Sequence, residues 1–207
     1  MKADDAFTDI ATQALSPAQP REAGARVTTP EDAATLLERL RARPPRVHCI
    51  INGVAENLTA NVLIALGATP SMTANPEEVA DFAAGADALS INLGTLDPQR
   101  RIAIERMLDA AGDRPWVLDP PFIDRSPLRR DFARRLLSRG PSILRGNRAE
   151  IEALSGEDEP DLQALSGAWQ TTLALTGVVD LVATGERAET VANGHALMAR
   201  ITASGCA

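Results

Sequence analysis

From residue 46 onward, short apolar runs alternate with longer stretches of helical character, and few folds accept that order. The runs are RVHCIIN (46–52), TPSM (69–72), ALSINL (88–93), PWVLD (115–119) and SILRG (142–146), separated by helical stretches at 54–66, 76–84, 97–111, 127–138 and 147–154. Strands this short, bounded by turn-forming residues and linked by helices, predict βαβ units. The expected fold is α/β, with a mostly parallel sheet covered by helices on both faces. A further helix at 160–170 leads into three closely spaced runs, TLALT (172–176), VDLVAT (179–184) and ETVAN (189–193). The short GER connection between the last two predicts hairpins and an antiparallel edge.

Ahead of the first strand, TPEDAATLLERLRARPP places Thr29 as N-cap, Pro30 at the first helical position, acids early and arginines late. Capping geometry and the helix dipole favour that order, and the helix should end before Pro44. Residues 1–29 read as an N-terminal extension with a weak helical pattern at 7–15, and residues 30–207 as one domain. With 44% hydrophobic and 24% charged residues the chain has a globular composition. Its net charge of -7 and 3% aromatic content disfavour generic nucleic-acid binding. Cys49 and Cys206 show no CxxC or Cys/His spacing, so reduced thiols are expected rather than a disulfide framework or a zinc site. No apolar run approaches the roughly 20 residues of a membrane span, and the acidic start is unlike a signal peptide. A soluble cytoplasmic protein is expected, with no membrane partner.

Open α/β sheets bind ligands beyond the carboxyl ends of their strands. The residues there are Asn52, Met72, Asn92 with Gly94 and Thr95, Asp119, Arg145 with Gly146 and Asn147, and Thr176 with Gly177. Arg145, leaving its strand beside a glycine, supplies a fixed cation that suits a phosphate. Asn147 and Glu150 have the spacing of a capping box, which explains both without any function. Asp119 and Glu150 can also hold Mg²⁺ bound to nucleotide phosphates, which takes one or two carboxylates. Met72 reads either as core filler or as a ligand contact, and His48 as a satisfied core or edge histidine. Arg129, Arg130, Arg134, Arg135 and Arg139 fall at helical spacing, as on a solvated helix face. The small-residue run of ITASGCA, ending in Cys206, lets backbone N–H groups approach an anion. The common P-loop, dinucleotide and hydrolase fingerprints are absent from the sequence.

Taken in order, VHCIINGVAENLTANVLIALGATPSM, NPEEVADFAAGADALSINLGTL, WVLDP, ILRGNRAEI, LALTG and NGHALMARITASGCA resemble the hydroxyethylthiazole kinase family of thiamine biosynthesis and salvage. The resemblance runs from about Val47 to Ala207. It implies a ribokinase-like three-layer α/β/α fold, typically a homotrimer with thiazole sites formed between subunits. The implied reaction transfers the γ-phosphoryl group of ATP to the hydroxyl of 4-methyl-5-(2-hydroxyethyl)thiazole. By motif, Asn52, Met72 and Ala203 fall at substrate positions, Arg145 and Thr176 at ATP positions, and Asp119 with Glu150 at Mg²⁺ positions. Cys206 falls at the catalytic cysteine of the family's glycine-rich loop, where related sugar kinases carry an aspartate.

Departures from the family pattern are equally specific. Ile51 stands where the family has threonine, Val178 where it has glutamate and Ala203 where it has glycine. DPPFIDRS (119–126) replaces DPVGAGAT. Family members continue past the cysteine into helices that cover one sheet face, so the resemblance implies a C-terminally truncated domain with an apolar face exposed. Two other readings stay open: a non-catalytic relative that binds thiazole or nucleotide or only oligomerises, and a ribokinase-like kinase for another small alcohol.

Overall fold

In the computed structural model, residues 30–202 and Gly205 are described; the extension at 1–29, with Thr29, and the site residues Ala203 and Cys206 lie outside them. The chain builds an eight-stranded sheet in the order β2-β1-β3-β4-β5-β6-β7-β8. Helix α1 (Pro30–Ala42) leads into β1 (Arg46–Ile50), α2 (Glu56–Leu66), β2 (Thr69–Ser71), α3 (Val79–Gly85) and β3 (Ala88–Asn92). Then follow α4 (Pro98–Ala111), β4 (Trp116–Asp119), α5 (Pro127–Leu137), β5 (Ile143–Asn147), α6 (Arg148–Ser155) and α7 (Leu162–Trp169). Strands β6 (Thr172–Thr176), β7 (Asp180–Ala183) and β8 (Ala188–Val191) complete the sheet, and a short 3₁₀ helix spans Ala196–Arg200. Strands β1 to β6 pair in parallel, whereas β7 and β8 are antiparallel, giving the expected edge.

Side-chain alternation divides the sheet into two faces. On one, Leu89, Ile91, Trp116, Leu118, Leu144, Leu173 and Leu175 pack with Ile104 and Met107 of α4, Phe132 and Leu136 of α5, and Ile151 of α6 in one buried cluster. On the other, Cys49, Ile51 and Ala55 form a small separate cluster with Leu63 of α2 and Met72. Burial pushes the Cys49 thiol up to about 12, so it stays protonated at neutral pH. Further along this second face, Val117, Ala174 and Val182 are half-buried and Ile143 is 37% exposed. Among the described residues no helix packs over that stretch.

Local chemistry sets the element ends. Asp97, Ser126 and Asp161 cap α4, α5 and α7 through side-chain oxygens that accept backbone N–H groups, and proline follows Asp97 and Ser126. The expected strand at 46–52 stops at Ile50, because Ala55 N–H donates to Asn52 O at 2.8 Å and turns the chain into α2. The helix expected from 76 begins at Val79, after a turn at Pro76, Glu77 and Glu78. Of the arginines expected on a solvated helix face, Arg135 and Arg139 pair with Glu105 and Asp109 of α4, and Arg134 donates to the Ala153 and Leu154 carbonyls.

Candidate active site

The chain leaves β1 toward β2 on one side of the sheet, while β3 lies on the other, so the connections diverge at the carboxyl ends of β1 and β3. Such a switch point opens a crevice in an open α/β sheet. Asn52 and Gly94 meet there so closely that a Cβ on Gly94 would lie 2.6 Å from Asn52 side-chain atoms. Glycine is required for this approach. The two flanking loops are tied together where Gly53 N–H donates to Thr95 Oγ1 at 3.1 Å. Arg100 of α4 donates to the Ile51 carbonyl and pairs with Glu56 at 3.0 Å, anchoring the start of α2. Arg100 is not among the residues singled out from the sequence, where it falls inside the helical stretch at 97–111. Its link to Ile51 exists only in the tertiary structure.

Across β3, β4 and β5 the strand ends carry a polar chain. Asn92 accepts from Gly94 N–H at 2.8 Å and donates to Asp119 Oδ2 at 2.7 Å, and Arg145 donates to the same oxygen at 3.0 Å. Asp119 is buried, and desolvation pushes its carboxyl up to about 6, outweighing the Arg145 guanidinium and Asn92 amide that favour the anion. The Glu150 carboxylate adds to the rise. Asn92 was visible as a strand-end residue, but its role in orienting Asp119 depends on the β3–β4 register, which pairs the two residues.

Asn147 and Glu150 form the expected capping box, with Glu150 Oε2 accepting from Asn147 N–H at 2.8 Å and Asn147 Oδ1 from Glu150 N–H at 3.0 Å. The other Glu150 oxygen accepts from Phe122 N–H at 3.0 Å, so this buried carboxylate also fixes the loop after β4. Arg145 does not leave its strand as expected: β5 continues to Asn147 because β6 pairs with it as far as Asn147 opposite Thr176. The guanidinium therefore projects from within the strand, and Thr176 stands at the adjacent strand end, its hydroxyl donating to Gly146 O at 3.4 Å. Val178, one turn further, is 88% exposed.

The expected positions thus separate into two groups on either side of Asn92 and Gly94. Asn52 and Met72 lie at the β1–β2 side; Asp119, Arg145 and Thr176 lie along β4, β5 and β6, with Glu150 in the first turn of α6. A cavity of about 210 Å³ reaches Asn92, Asp119 and Arg145 from the second face. No group of three or more metal-binding side chains occurs among the described residues. The Glu150 carboxylate nevertheless lies near enough to Asp119 to raise its pKa, and two neighbouring carboxylates suit a cation that takes its remaining ligands from phosphates and water.

Residues 37–207 match the family model described as the hydroxyethylthiazole kinase family. The chain belongs to the hydroxyethylthiazole kinase family. A hydroxyethylthiazole kinase from Klebsiella pneumoniae is 42% identical over 195 residues, covering 86% of this chain and 76% of the relative. The solved structure of a hydroxyethylthiazole kinase protein from Pyrococcus horikoshii superposes with a TM-score of 0.78 at 40% identity, over 83% of this chain and 71% of that one. A ribokinase-like superfamily protein from Enterococcus faecalis matches at TM-score 0.54 and 14% identity, over 90% of this chain and 71% of that one. At that identity it shows the fold alone: the ribokinase-like α/β/α arrangement is common to both. The loop after β4 is the segment expected to depart from the family pattern. Phe122 adopts φ 61°, a left-handed conformation that glycine takes without strain, at the position of a glycine in the family pattern DPVGAGAT. The loop is held nonetheless by the fully buried Ile123, by Arg129 donating to the Pro121 carbonyl, and by the Arg125 guanidinium 5.7 Å from the Phe122 ring centre.

Proposed function

We propose that this protein transfers the γ-phosphoryl group of ATP to the hydroxyl of 4-methyl-5-(2-hydroxyethyl)thiazole, in thiamine biosynthesis or salvage. The observation that carries this reading is the series of polar residues along the strand ends, Asn52 against Gly94 and then Asn92, Asp119 and Arg145 joined by hydrogen bonds, in a chain of this family. Asn52 supplies a polar contact and Met72 an adaptable apolar surface for a flat sulfur heterocycle. Arg145 faces the phosphates as a fixed cation, and Thr176 lies on the nucleotide side. Asp119 and Glu150 would hold Mg²⁺, which when bound neutralises phosphate charge. Phosphoryl transfer passes through a loose transition state, so positioning and charge stabilisation matter more than a strong base. Asn92 keeps Asp119 oriented, and Glu150 clamps the β4–α5 loop over the site. In this reading Ala203 belongs to the anion loop and Cys206 stands beside the reacting hydroxyl as a weak base or positioning group; both lie outside the described residues.

Residues 30–207 form the kinase domain and 1–29 an extension to it, and the working form is a cytoplasmic homotrimer. No described helix is long and apolar enough to cross a membrane. A coupled ADP-release assay with the thiazole alcohol, ATP and Mg²⁺ tests the reading. Turnover dependent on the alcohol supports it, whereas ATP binding without a phosphorylated product rejects it in favour of a non-catalytic relative. The altered DPPFIDRS loop favours one further reading, a kinase for a different small alcohol such as a hydroxymethylpyrimidine, which a substrate panel separates.

A further inference from the structure

We infer that His48 is a positioning residue for the heterocycle side of the site, acting through a two-sided hold on the segment that carries Met72. Strand β2 is three residues long and lies at the sheet edge, and no regular structure follows it until the turn that precedes α3. His48 of β1 pairs with Ser71 in the parallel register, and the two side chains share one face. Its Nδ1 lies 2.7 Å from Ser71 Oγ and its Nε2 3.1 Å from the Thr73 carbonyl, so a single rigid ring grips the chain on both sides of Met72. A carbonyl only accepts, which places the proton on Nε2. A neutral ring then accepts the Ser71 hydroxyl at Nδ1, and both ring nitrogens are satisfied. The ring is fully buried and stacks on Phe82 of α3 at 5.5 Å, which fixes its plane.

Alternation does the rest. With the Ser71 side chain on the His48 face, Met72 lies on the other, where it packs against Cys49, Ile51 and Ala55 at the base of the Asn52 turn. Thr73 also donates to the Glu78 carboxylate and accepts from Asn75 N–H, but those bonds tie the segment to its own continuation. The bonds from His48 tie it to the sheet. An apolar side chain could fill the same volume, yet it would leave the Thr73 carbonyl without this donor and let the Met72 segment shift.

This inference rests on the reading of Met72 as a substrate contact, and the test separates the two. His48→Leu, His48→Gln and Ser71→Ala are compared with the unaltered chain for melting temperature, for KM of the thiazole alcohol and of ATP, and for the ¹³C-methyl spectrum of the methionines. The chain has four methionines, and the fully buried Met107 serves as internal control. Losing one such hydrogen bond should raise KM for the alcohol about threefold to tenfold, with KM for ATP unchanged. The Met72 methyl signal should shift or broaden while Met107 stays in place. His48→Gln, which keeps an N–H toward Thr73, should recover most of the His48→Leu defect. Should His48→Leu fail to fold, Ser71→Ala and His48→Gln carry the comparison. Folded variants with unchanged KM for the alcohol and an unmoved Met72 signal overturn the inference. If the unaltered chain does not turn over the alcohol, the functional reading fails, and an unmoved Met72 signal in Ser71→Ala still overturns the hold by His48.

Discussion

Asp119 carries opposing influences that the sequence could not rank. Its position after an apolar strand marked it as a site residue, but only the fold shows burial outweighing an arginine 3.0 Å away and leaving its carboxyl at about 6. The charged form is therefore the one present at neutral pH, and it is lost on mild acidification. The proposed cation-holding role needs Asp119 ionised, so kcat/KM should fall as the pH drops below about 6, and a pH–rate profile flat to pH 5 would remove Asp119 from that role. The stability effect has the opposite sign. Because the folded carboxyl holds its proton to higher pH than an unfolded one, its contribution to stability is greatest in acid and is lost as the pH rises from about 4 to about 6. Asp119→Asn should accordingly abolish most activity without lowering the melting temperature at pH 7. The Asn147–Glu150 capping box was fully legible because its partners are three residues apart. The Asn92–Asp119 and Arg100–Ile51 contacts were not, because they span 27 and 49 residues and depend on strand register and helix placement.

Strands and helices followed the apolar periodicity closely, and their ends moved where a turn or a pairing partner decided the matter. Strand β5 runs through Gly146 to Asn147 because β6 offers it a partner, and α3 starts late because a turn precedes it. The β4–α5 loop is the clearest case of local sequence opposing local conformation. A left-handed conformation costs an L-residue about 1–2 kcal/mol, and Phe122 bears that cost inside a loop held by Glu150, Arg129 and Ile123. Chemical denaturation should find Phe122→Val destabilised by about 1–2 kcal/mol, since β-branching adds to the strain, and Phe122→Gly within about 1 kcal/mol of the unaltered chain. Equal losses for both would mean that ring contacts, rather than backbone strain, dominate this loop.

For the molecule as a whole, the order of elements was enough to give the α/β class and the antiparallel edge. The resemblance supplied the ribokinase-like arrangement that the solved relatives share. The two sheet faces differ sharply: α4 to α6 bury one, while the other is covered by α2 near β1 and leaves Ile143 partly exposed further along. Adjacent residues of β5 sample both sides. Leu144→Ala should cost about 2–5 kcal/mol, and Ile143→Ala much less, as measured by urea unfolding. Similar losses at the two positions would show that the second face is packed as well as the first.

In the proposed function the strand ends of β1 to β6 assemble one phosphotransfer site. Incubation with ATP labelled with ¹⁸O in its γ-phosphoryl group, followed by mass spectrometry of the thiazole, tests it directly. The expected result is a thiazole phosphate carrying the labelled phosphoryl oxygens, with its formation reduced by about a hundredfold or more in Arg145→Ala. Unlabelled thiazole phosphate, or label released only as inorganic phosphate at a rate indifferent to Arg145→Ala, would contradict it.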